Sequence, residues 1–301
     1  MKNVLILGNG YIGKYLADYL KADHNVIICS KSQLEYSNPK ILFEYIKEKQ
    51  NTEFYTNKGF DWVINCSGFT GTPNVDGCED YKEDCYHYNV TVPLQITKVC
   101  NHLQIPVIHI GSGCVYSGYD KIYSEEDTPD FGSDSYESSF YSKTKDAFEK
   151  LSRHMDRYIF RIRIPFTGVV EPKNYLHKLL KYDNLISKQN SITCVDDLML
   201  FIKKFINNSK KPDYGIYNVV NEGSVDASDV VQMLKDNGIE NLNWKFISIK
   251  EANFKVSRSN CILSTEKIKK IGMELPDVKE SLEKCAKEFA NYIRVNNLMK
   301  L

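Results

Sequence analysis

Tyr141 and Lys145 stand four residues apart in Tyr141-Ser142-Lys143-Thr144-Lys145, which opens an amphipathic helix, so both project from one face of it. A phenol, with a reference pKa of about 10, is a poor acid near neutral pH unless a fixed ammonium nearby favours the phenolate. Lys145 is spaced to do that for Tyr141. A third group completes the set. Ile108-His109-Ile110-Gly111-Ser112 is an apolar strand ending in a hydroxyl, where an open parallel sheet places its ligands. Ser112, Tyr141 and Lys145 would then protonate and hydrogen-bond an oxygen at which negative charge develops. Taken alone, a Tyr and a Lys at helical spacing describe an ordinary solvated face. Their weight comes from what surrounds them.

The amino terminus supplies the first such context. Val4-Leu5-Ile6-Leu7 is a short apolar run followed at once by Gly8-Asn9-Gly10-Tyr11-Ile12-Gly13 and then a helical pattern. This is a dinucleotide turn in its proper setting: a buried strand, glycines that let the backbone approach a pyrophosphate, and a helix amino terminus aimed at the charge. Ser67 and Gly68, after a later strand, are assigned to the same cofactor. The second strand ends at Cys29 and is followed by Ser30-Lys31-Ser32, with no carboxylate before Glu35. An acidic residue there holds a ribose 2′-hydroxyl, whereas a basic one accommodates a 2′-phosphate. NADPH is therefore the expected cofactor, with Ser30 and Lys31 at the phosphate. NADH remains open, since a merely exposed Lys31 fits the same sequence.

The elements that must position these groups alternate between strand and helix through the first half, the mark of a parallel sheet covered on both faces. Strands are expected at 26–29, 62–66, 107–110, 158–162 and 215–220, and a long helix at 88–101. After Pro165 the alternation breaks down. Helices are expected at 175–181, 226–235, 264–271 and 278–295. With 301 residues the chain exceeds one average domain. We expect an α/β Rossmann doubly wound parallel sheet with a smaller, interleaved C-terminal substrate lobe. The nucleotide-binding domain would comprise 1–165 and 194–222, and the lobe 166–193 and 223–301.

Composition excludes several classes. Lys plus Arg and Asp plus Glu both number 39, so no electrostatic footprint favours nucleic acid or an acidic membrane. No apolar run is long enough to span a bilayer and no cleavable leader is seen, so the expected location is the cytoplasm. Nine cysteines without Cys-x-x-Cys spacing argue against both a zinc site and a disulfide framework. No metal is expected. His109, inside an apolar strand, reads as a satisfied core side chain.

With these residues in view the chain resembles the extended short-chain dehydrogenase/reductases, whose proton donor is the Tyr of a Tyr-x-x-x-Lys motif. Within them it is similar to the nucleotide-rhamnose synthases, bifunctional 3,5-epimerase/4-reductases related to dTDP-4-dehydrorhamnose reductases. The resemblance runs over nearly the whole chain. It is carried by the segment from Asn65-Cys66-Ser67-Gly68 through Thr70 and Asn74 to Gly77-Cys78-Glu79, by Gly113-Cys114-Val115-Tyr116, by Glu125-Glu126-Asp127-Thr128-Pro129-Asp130-Phe131, and by Phe140-Tyr141-Ser142-Lys143-Thr144-Lys145. Further on come Arg161-Ile162-Arg163-Ile164-Pro165, Asn174-Tyr175-Leu176-His177-Lys178 and Arg258-Ser259-Asn260. Reductase-only relatives look like Thr-Asp-Tyr-Val-Phe where this chain has Ser112-Gly113-Cys114-Val115-Tyr116.

The resemblance implies that Cys114 and Lys178 are the acid/base pair of an epimerisation, either one abstracting, and that Ser112, Tyr141 and Lys145 carry a reduction. It implies a nucleotide-linked 4-keto-6-deoxy sugar as substrate, UDP- or dTDP-linked, met by Thr70, Asn74, Asn174, Asn190, Arg258 and Asn260. A homodimer is a further family expectation. Asn89 has a structural or cofactor-orienting role. Two rival readings stand beside this one: a 4-keto reductase that relies on a separate epimerase, and a catalytically silent NADP(H)-binding regulatory subunit.

Overall fold

The computed structural model describes residues 1–50, 59–72, 74–239, 243–252 and 254–296; Pro73, in one of the quoted motifs, lies outside them. The first part of the chain runs β1 (Asn3–Leu7), α1 (Tyr11–Leu20), β2 (Asn25–Cys29), α2 (Pro39–Gln50), β3 (Trp62–Asn65), α3 (Gly77–Asp80), α4 (Lys82–Tyr86), α5 (Val92–His102), β4 (Val107–Ser112), α6 (Phe140–Leu151) and β5 (Tyr158–Ile162). There follow β6 (Pro165–Phe166), α7 (Tyr175–Leu179), β7 (Asn184–Ile186), β8 (Thr193–Cys194), α8 (Val195–Asn207), β9 (Gly215–Asn218), α9 (Ala227–Asp236), β10 (Lys245–Ile247), α10 (Glu266–Lys270) and α11 (Val278–Val295).

Six strands form one sheet in the order β2-β1-β3-β4-β5-β9. β1 pairs in parallel with both β2 and β3, and β3 with β4. The chain thus winds one way from β1 to β2 and the other way from β3 onward. The strand order reverses between β1 and β3, and open sheets of this kind bind ligands beyond the carboxyl ends of the strands at that point. The sheet with its flanking helices is the expected Rossmann-like α/β fold. Val4 through Leu7, Val63, Ile64, Val107 and Ile108 have no exposed surface, as near-continuous apolar runs buried on both faces require.

The chain divides into two compact units, each discontinuous in sequence: Met1–Val115 with Thr128–Arg161 and Ile202–Tyr217, and Tyr116–Asp127 with Ile162–Phe201 and Asn218–Leu301. These divisions differ from the sequence-derived boundaries chiefly in giving 116–127 and 194–201 to the second unit. The second unit has its own apolar cluster, which includes Phe166, Leu176, Val230, Leu282 and Phe289.

Local corrections have local causes. The helix expected at 88–101 begins instead with a π turn over His87–Thr91 and becomes regular at Val92, with Pro93 in its first turn. The helix expected from Asp226 starts one residue later because Asp226 is its cap, accepting from Ser228 N and Asp229 N in a capping box. The helices expected at 175–181 and 264–271 are shorter, at Tyr175–Leu179 and Glu266–Lys270, and the strand expected at 215–220 stops at Asn218. Among the described residues no helix is long and apolar enough to cross a membrane.

Candidate active site

The cofactor turn follows β1. Gly8 has φ +102° and donates its N–H to Cys29 O at 2.9 Å. A Cβ on Gly8 would lie 2.7 Å from Ser67 N, and one on Gly13 only 1.9 Å from Gly8 O, so helix, turn and the β3 end are packed at backbone distance. Around Gly10, the N-cap of α1, a Cβ would meet nothing within 4 Å. Asn9 and Gly10 are exposed, and Tyr11 and Ile12 half-buried. α1 carries no acidic residue in its first turn. The open backbone and a helix amino terminus free of carboxylates fit the pyrophosphate of a dinucleotide.

Beyond β2, Ser30 N donates to Gln33 Oε1 at 2.9 Å, and the Ser30 hydroxyl contacts that oxygen and Ser32 Oγ, both at 2.9 Å. Lys31 Nζ donates to the Tyr88 hydroxyl and lies 4.7 Å from the Tyr88 ring centre. The Glu35 carboxylate accepts from Ser37 Oγ. An exposed lysine with hydroxyl neighbours suits a phosphate better than a ribose hydroxyl.

Beyond β3 and β4 lie the polar groups. Asn65 and His109 are register partners, and Asn65 Nδ2 lies 3.0 Å from His109 Nδ1. Thr97 Oγ1 donates to Pro93 O at 2.7 Å and lies 2.9 Å from His109 Nε2. With its proton used on Pro93, Thr97 accepts from Nε2–H, which leaves Nδ1 to accept from Asn65. Asn65 Oδ1 in turn accepts from both N and Oγ of Ser67. His109 is therefore a neutral link that orients the cofactor loop, and burial holds its pKa down at about 3.

α6 delivers the reactive side chains. Ser139 caps it, accepting from Ser142 N at 3.1 Å. Tyr141, Lys145 and Glu149 follow at successive turns. The Tyr141 phenol is hydrogen-bonded to Ser112, and Cys114 N donates to Ser112 Oγ at 3.2 Å. Lys145 Nζ lies 5.5 Å from the Tyr141 ring centre. A Cβ on Gly68 would be 3.4 Å from Lys145 Nζ and 3.2 Å from Asn89 Oδ1. Glu149 is held bidentately by Arg161, at 2.9 and 2.6 Å, which compensates its buried charge beside Lys145. A cavity of about 10 Å³, room for about one water, is lined by Ser67, Asn89, Ser112, Lys145 and Glu149 among others.

The electrostatics differ from expectation. Burial dominates at Tyr141 and pushes its phenol up, the neighbouring Cys114 adds to this, and the Ser112 hydrogen bond works the other way. Burial also pushes the Lys145 ammonium down, against the pull of Cys85 and Glu149. The net lowering expected from Lys145 is not what the structure shows: desolvation sets the direction of the shift. A phenol so raised stays protonated at neutral pH and is a weaker acid, one that donates to a strongly basic oxygen such as an alkoxide.

Asn89 is 1% exposed and sits within the π turn. It accepts from Phe69 N at 2.9 Å and donates to Phe69 O at 2.8 Å and Thr144 Oγ1 at 3.1 Å. It thereby ties the loop after Gly68 to the residue beside Lys145. In that loop Thr70 is exposed, and Asn74 Oδ1 accepts from Asp76 N at 2.8 Å.

The other expected residues belong to the second unit. Asn174 is fully buried. Its Oδ1 accepts from Thr167 N and Leu176 N, and its Nδ2 donates to Thr167 O and Val169 O. Two donors and two accepted bonds exhaust an amide of this kind. Asn174, expected as a substrate contact, caps α7, which carries Lys178. Lys178 is half-buried, and desolvation, with Lys173 nearby, pushes its amine down. Asn190, also expected at the substrate, is tied within its own unit: its oxygen accepts from Arg163 Nη2 and Cys261 N, and its nitrogen donates to Lys188 O and Asn260 Oδ1. Arg258 lies 4.4 Å over the Phe254 ring. Arg163, which binds Asn190, was named only within a motif and given no role. Cys194, Asp196 and Cys285 bring one donor atom each within 4.8 Å of one another, with the two sulfurs 3.7 Å apart inside the apolar cluster.

Comparison with known proteins agrees with this architecture. The chain is 33% identical over 234 residues to the bifunctional dTDP-4-dehydrorhamnose 3,5-epimerase/dTDP-4-dehydrorhamnose reductase of Arabidopsis thaliana, a match spanning 74% of this chain and 75% of that protein. The crystal structure of the L780 UDP-rhamnose synthase from Acanthamoeba polyphaga mimivirus superposes with a TM-score of 0.83 at 24% identity, covering 95% of this chain and 99% of the other. The dTDP-4-dehydrorhamnose reductase of Bacillus anthracis in complex with NADP gives 0.79 at 20%, covering 94% and 98%. A family model described as the RmlD substrate binding domain matches residues 1–291. A match of that extent, on a sheet of this winding, makes the chain a member of the RmlD substrate-binding-domain family.

Proposed function

We propose that this chain is a nucleotide-sugar 4-keto reductase that also epimerises its substrate at C3 and C5, converting a nucleotide-linked 4-keto-6-deoxyhexose to an L-rhamnose-type sugar with NADPH. The observation that carries the reading is the convergence of the Ser112 hydroxyl, the Tyr141 phenol and the Cys114 backbone at one point beyond β4. The plant relative named as a bifunctional epimerase/reductase and the mimiviral structure named as a UDP-rhamnose synthase support it.

A ketone at C4 acidifies the protons on C3 and C5. A base removes one to give an enolate, and an acid on the opposite ring face returns it inverted. Cys114 and Lys178 are assigned to these two steps. A lysine whose amine is pushed down by burial is available as a neutral base nearer to neutral pH than a free one. Ser112 and Tyr141 hydrogen-bond the C4 oxygen while it carries the enolate charge. The nicotinamide, when bound, supplies hydride to C4. Tyr141 then gives its proton to the oxygen that becomes the alkoxide, and Lys145 holds the cofactor ribose and the phenol in place. One oxygen site thus serves both reactions, because enolate and alkoxide place their charge on the same atom.

The test is to supply unepimerised UDP-4-keto-6-deoxyglucose with NADPH in deuterated water. An L-rhamnose product labelled at C3 and C5 is expected, and a D-configured product would leave the chain a simple reductase. Cys114→Ala should lose the label yet reduce pre-epimerised substrate. Tyr141→Phe should exchange deuterium while losing about 10²- to 10⁴-fold in reduction. Undiminished exchange in Cys114→Ala removes the thiol from the mechanism.

A further inference from the structure

Arg163 is only 1% exposed and stands at the start of a strained elbow between β5 and β6. Ile164, next in the chain, has φ +39°, an unfavourable conformation for a β-branched residue that persists only where its surroundings impose it. Both sides of the elbow are clamped. Arg163 N donates to Thr193 Oγ1 at 3.1 Å, Thr193 N donates to Arg163 O at 2.8 Å, and Pro165 pairs with Thr193 in register. The backbone is thereby held on both sides of the residue whose guanidinium is buried.

Its fork reaches three neutral oxygens of the same unit. Nη1 donates to Ser259 Oγ at 2.8 Å, and Nη2 donates to Asn190 Oδ1 at 2.6 Å and to the Ser259 carbonyl at 3.2 Å. The Ser259 hydroxyl in turn donates a hydrogen bond to Tyr116 O at 2.5 Å. Asn190 Nδ2 donates onward to Asn260 Oδ1 at 3.0 Å. One planar group therefore holds Ser259 directly and Asn260 through Asn190, the two residues that follow Arg258. A lysine, with a single nitrogen on a flexible stem, cannot span the same oxygens.

We propose that Arg163 is a positioning residue for the nucleotide-diphosphate end of the substrate, fixing the Arg258-Ser259-Asn260 segment so that Arg258 meets phosphate. The inference rests on the assignment of Arg258 and Asn260 to substrate binding. Its chemistry is consistent: the guanidinium adds positive charge behind a segment that already presents one, as a diphosphate requires.

The experiment is calorimetric titration of UDP, or of dTDP should wild type not bind UDP, into the full-length chain and into Arg258→Ala, Arg163→Lys and Ser259→Ala, with NADPH affinity and thermal midpoint measured on each; where wild type binds only dTDP, it takes the place of UDP in every comparison. Arg258→Ala and Arg163→Lys should each weaken UDP by about tenfold or more, with NADPH affinity unchanged. In turnover, Arg163→Lys should raise the KM for the nucleotide sugar more than it lowers kcat. Ser259→Ala, which removes one side-chain anchor and leaves the arginine, should show the same effect in smaller measure, and it carries the test if Arg163→Lys does not fold. If Arg258→Ala loses UDP while Arg163→Lys and Ser259→Ala bind it as wild type does, the positioning role is overturned and the binding assignment stands. If wild type takes up neither UDP nor dTDP, or Arg258→Ala binds the preferred one undiminished, the assignment falls and the positioning role with it. A lowered thermal midpoint with unchanged UDP affinity would make Arg163 purely structural and also overturns the proposal.

Discussion

Two glycines of the amino-terminal turn should fail in opposite ways when each is replaced by alanine. At Gly13 the added Cβ would lie 1.9 Å from Gly8 O, 3.1 Å from Gly8 C and 3.2 Å from Cys66 Cβ. Bringing the first contact to about 3.0 Å requires α1 to move about 1.1 Å from the turn. The nearest obstacle is the Gly8 backbone, and α1 is held to the core by Leu16, Ala17 and Leu20, at 0, 1 and 0% exposure. Overpacking of a well-filled core costs about 1–3 kcal/mol, and with no side chain able to yield, Gly13→Ala should cost about 3 kcal/mol or more. At Gly10 the same atom meets nothing within 4 Å and φ is −89°. The loss of N-cap preference is worth no more than about 1 kcal/mol. The fold should therefore survive Gly10→Ala while the pyrophosphate is kept off the helix terminus, weakening NADPH by about tenfold or more. Urea unfolding of the cofactor-free chains measures the first effect and quenching of protein fluorescence by NADPH the second. A Gly13→Ala protein within about 1 kcal/mol of wild type, or a Gly10→Ala protein with wild-type NADPH affinity, would refute the reasoning.

The remaining expectations concern charge. Lys31→Ala should reduce the preference for NADPH over NADH, as a ratio of kcat/KM values, by about tenfold; equal use of both cofactors by wild type and variant would sink it. His109 has its pKa depressed by burial to about 3, so the unfolded chain binds the extra proton first as pH falls. The stability it confers is complete above about pH 6.5 and is lost progressively toward about pH 3. Between pH 6.5 and 5 the loss should be about 1.5 kcal/mol. His109→Gln, which does not titrate, should show a shallower fall over that interval in denaturant unfolding, and parallel curves would show that the imidazole is not the cause.

The chemistry-bearing spacings were legible because they are local. A buried strand followed by three glycines and a helix is decided within a dozen residues, and helical periodicity alone puts Tyr141 and Lys145 on one face. The parallel sheet followed from the alternation of apolar runs with helical patterns, although the ends of its elements moved where caps or a π turn intervened. Asn89 was visible as a residue but not as a clamp, since its partners Phe69 and Thr144 lie 20 and 55 positions away.

Pattern and propensity thus determined the fold class, the cofactor turn and the candidate proton donor, since those depend on groups close together in the chain. Only the tertiary structure decided which polar side chains are already satisfied. Asn174 and Asn190, ligand candidates in the sequence, have both amide ends engaged by groups of their own unit. It also brought two sulfurs 91 positions apart to 3.7 Å, beyond the reach of any spacing rule. And it set the direction of the Tyr141 shift, because desolvation depends on how much of the whole protein surrounds a group, whereas sequence spacing reports only one neighbour.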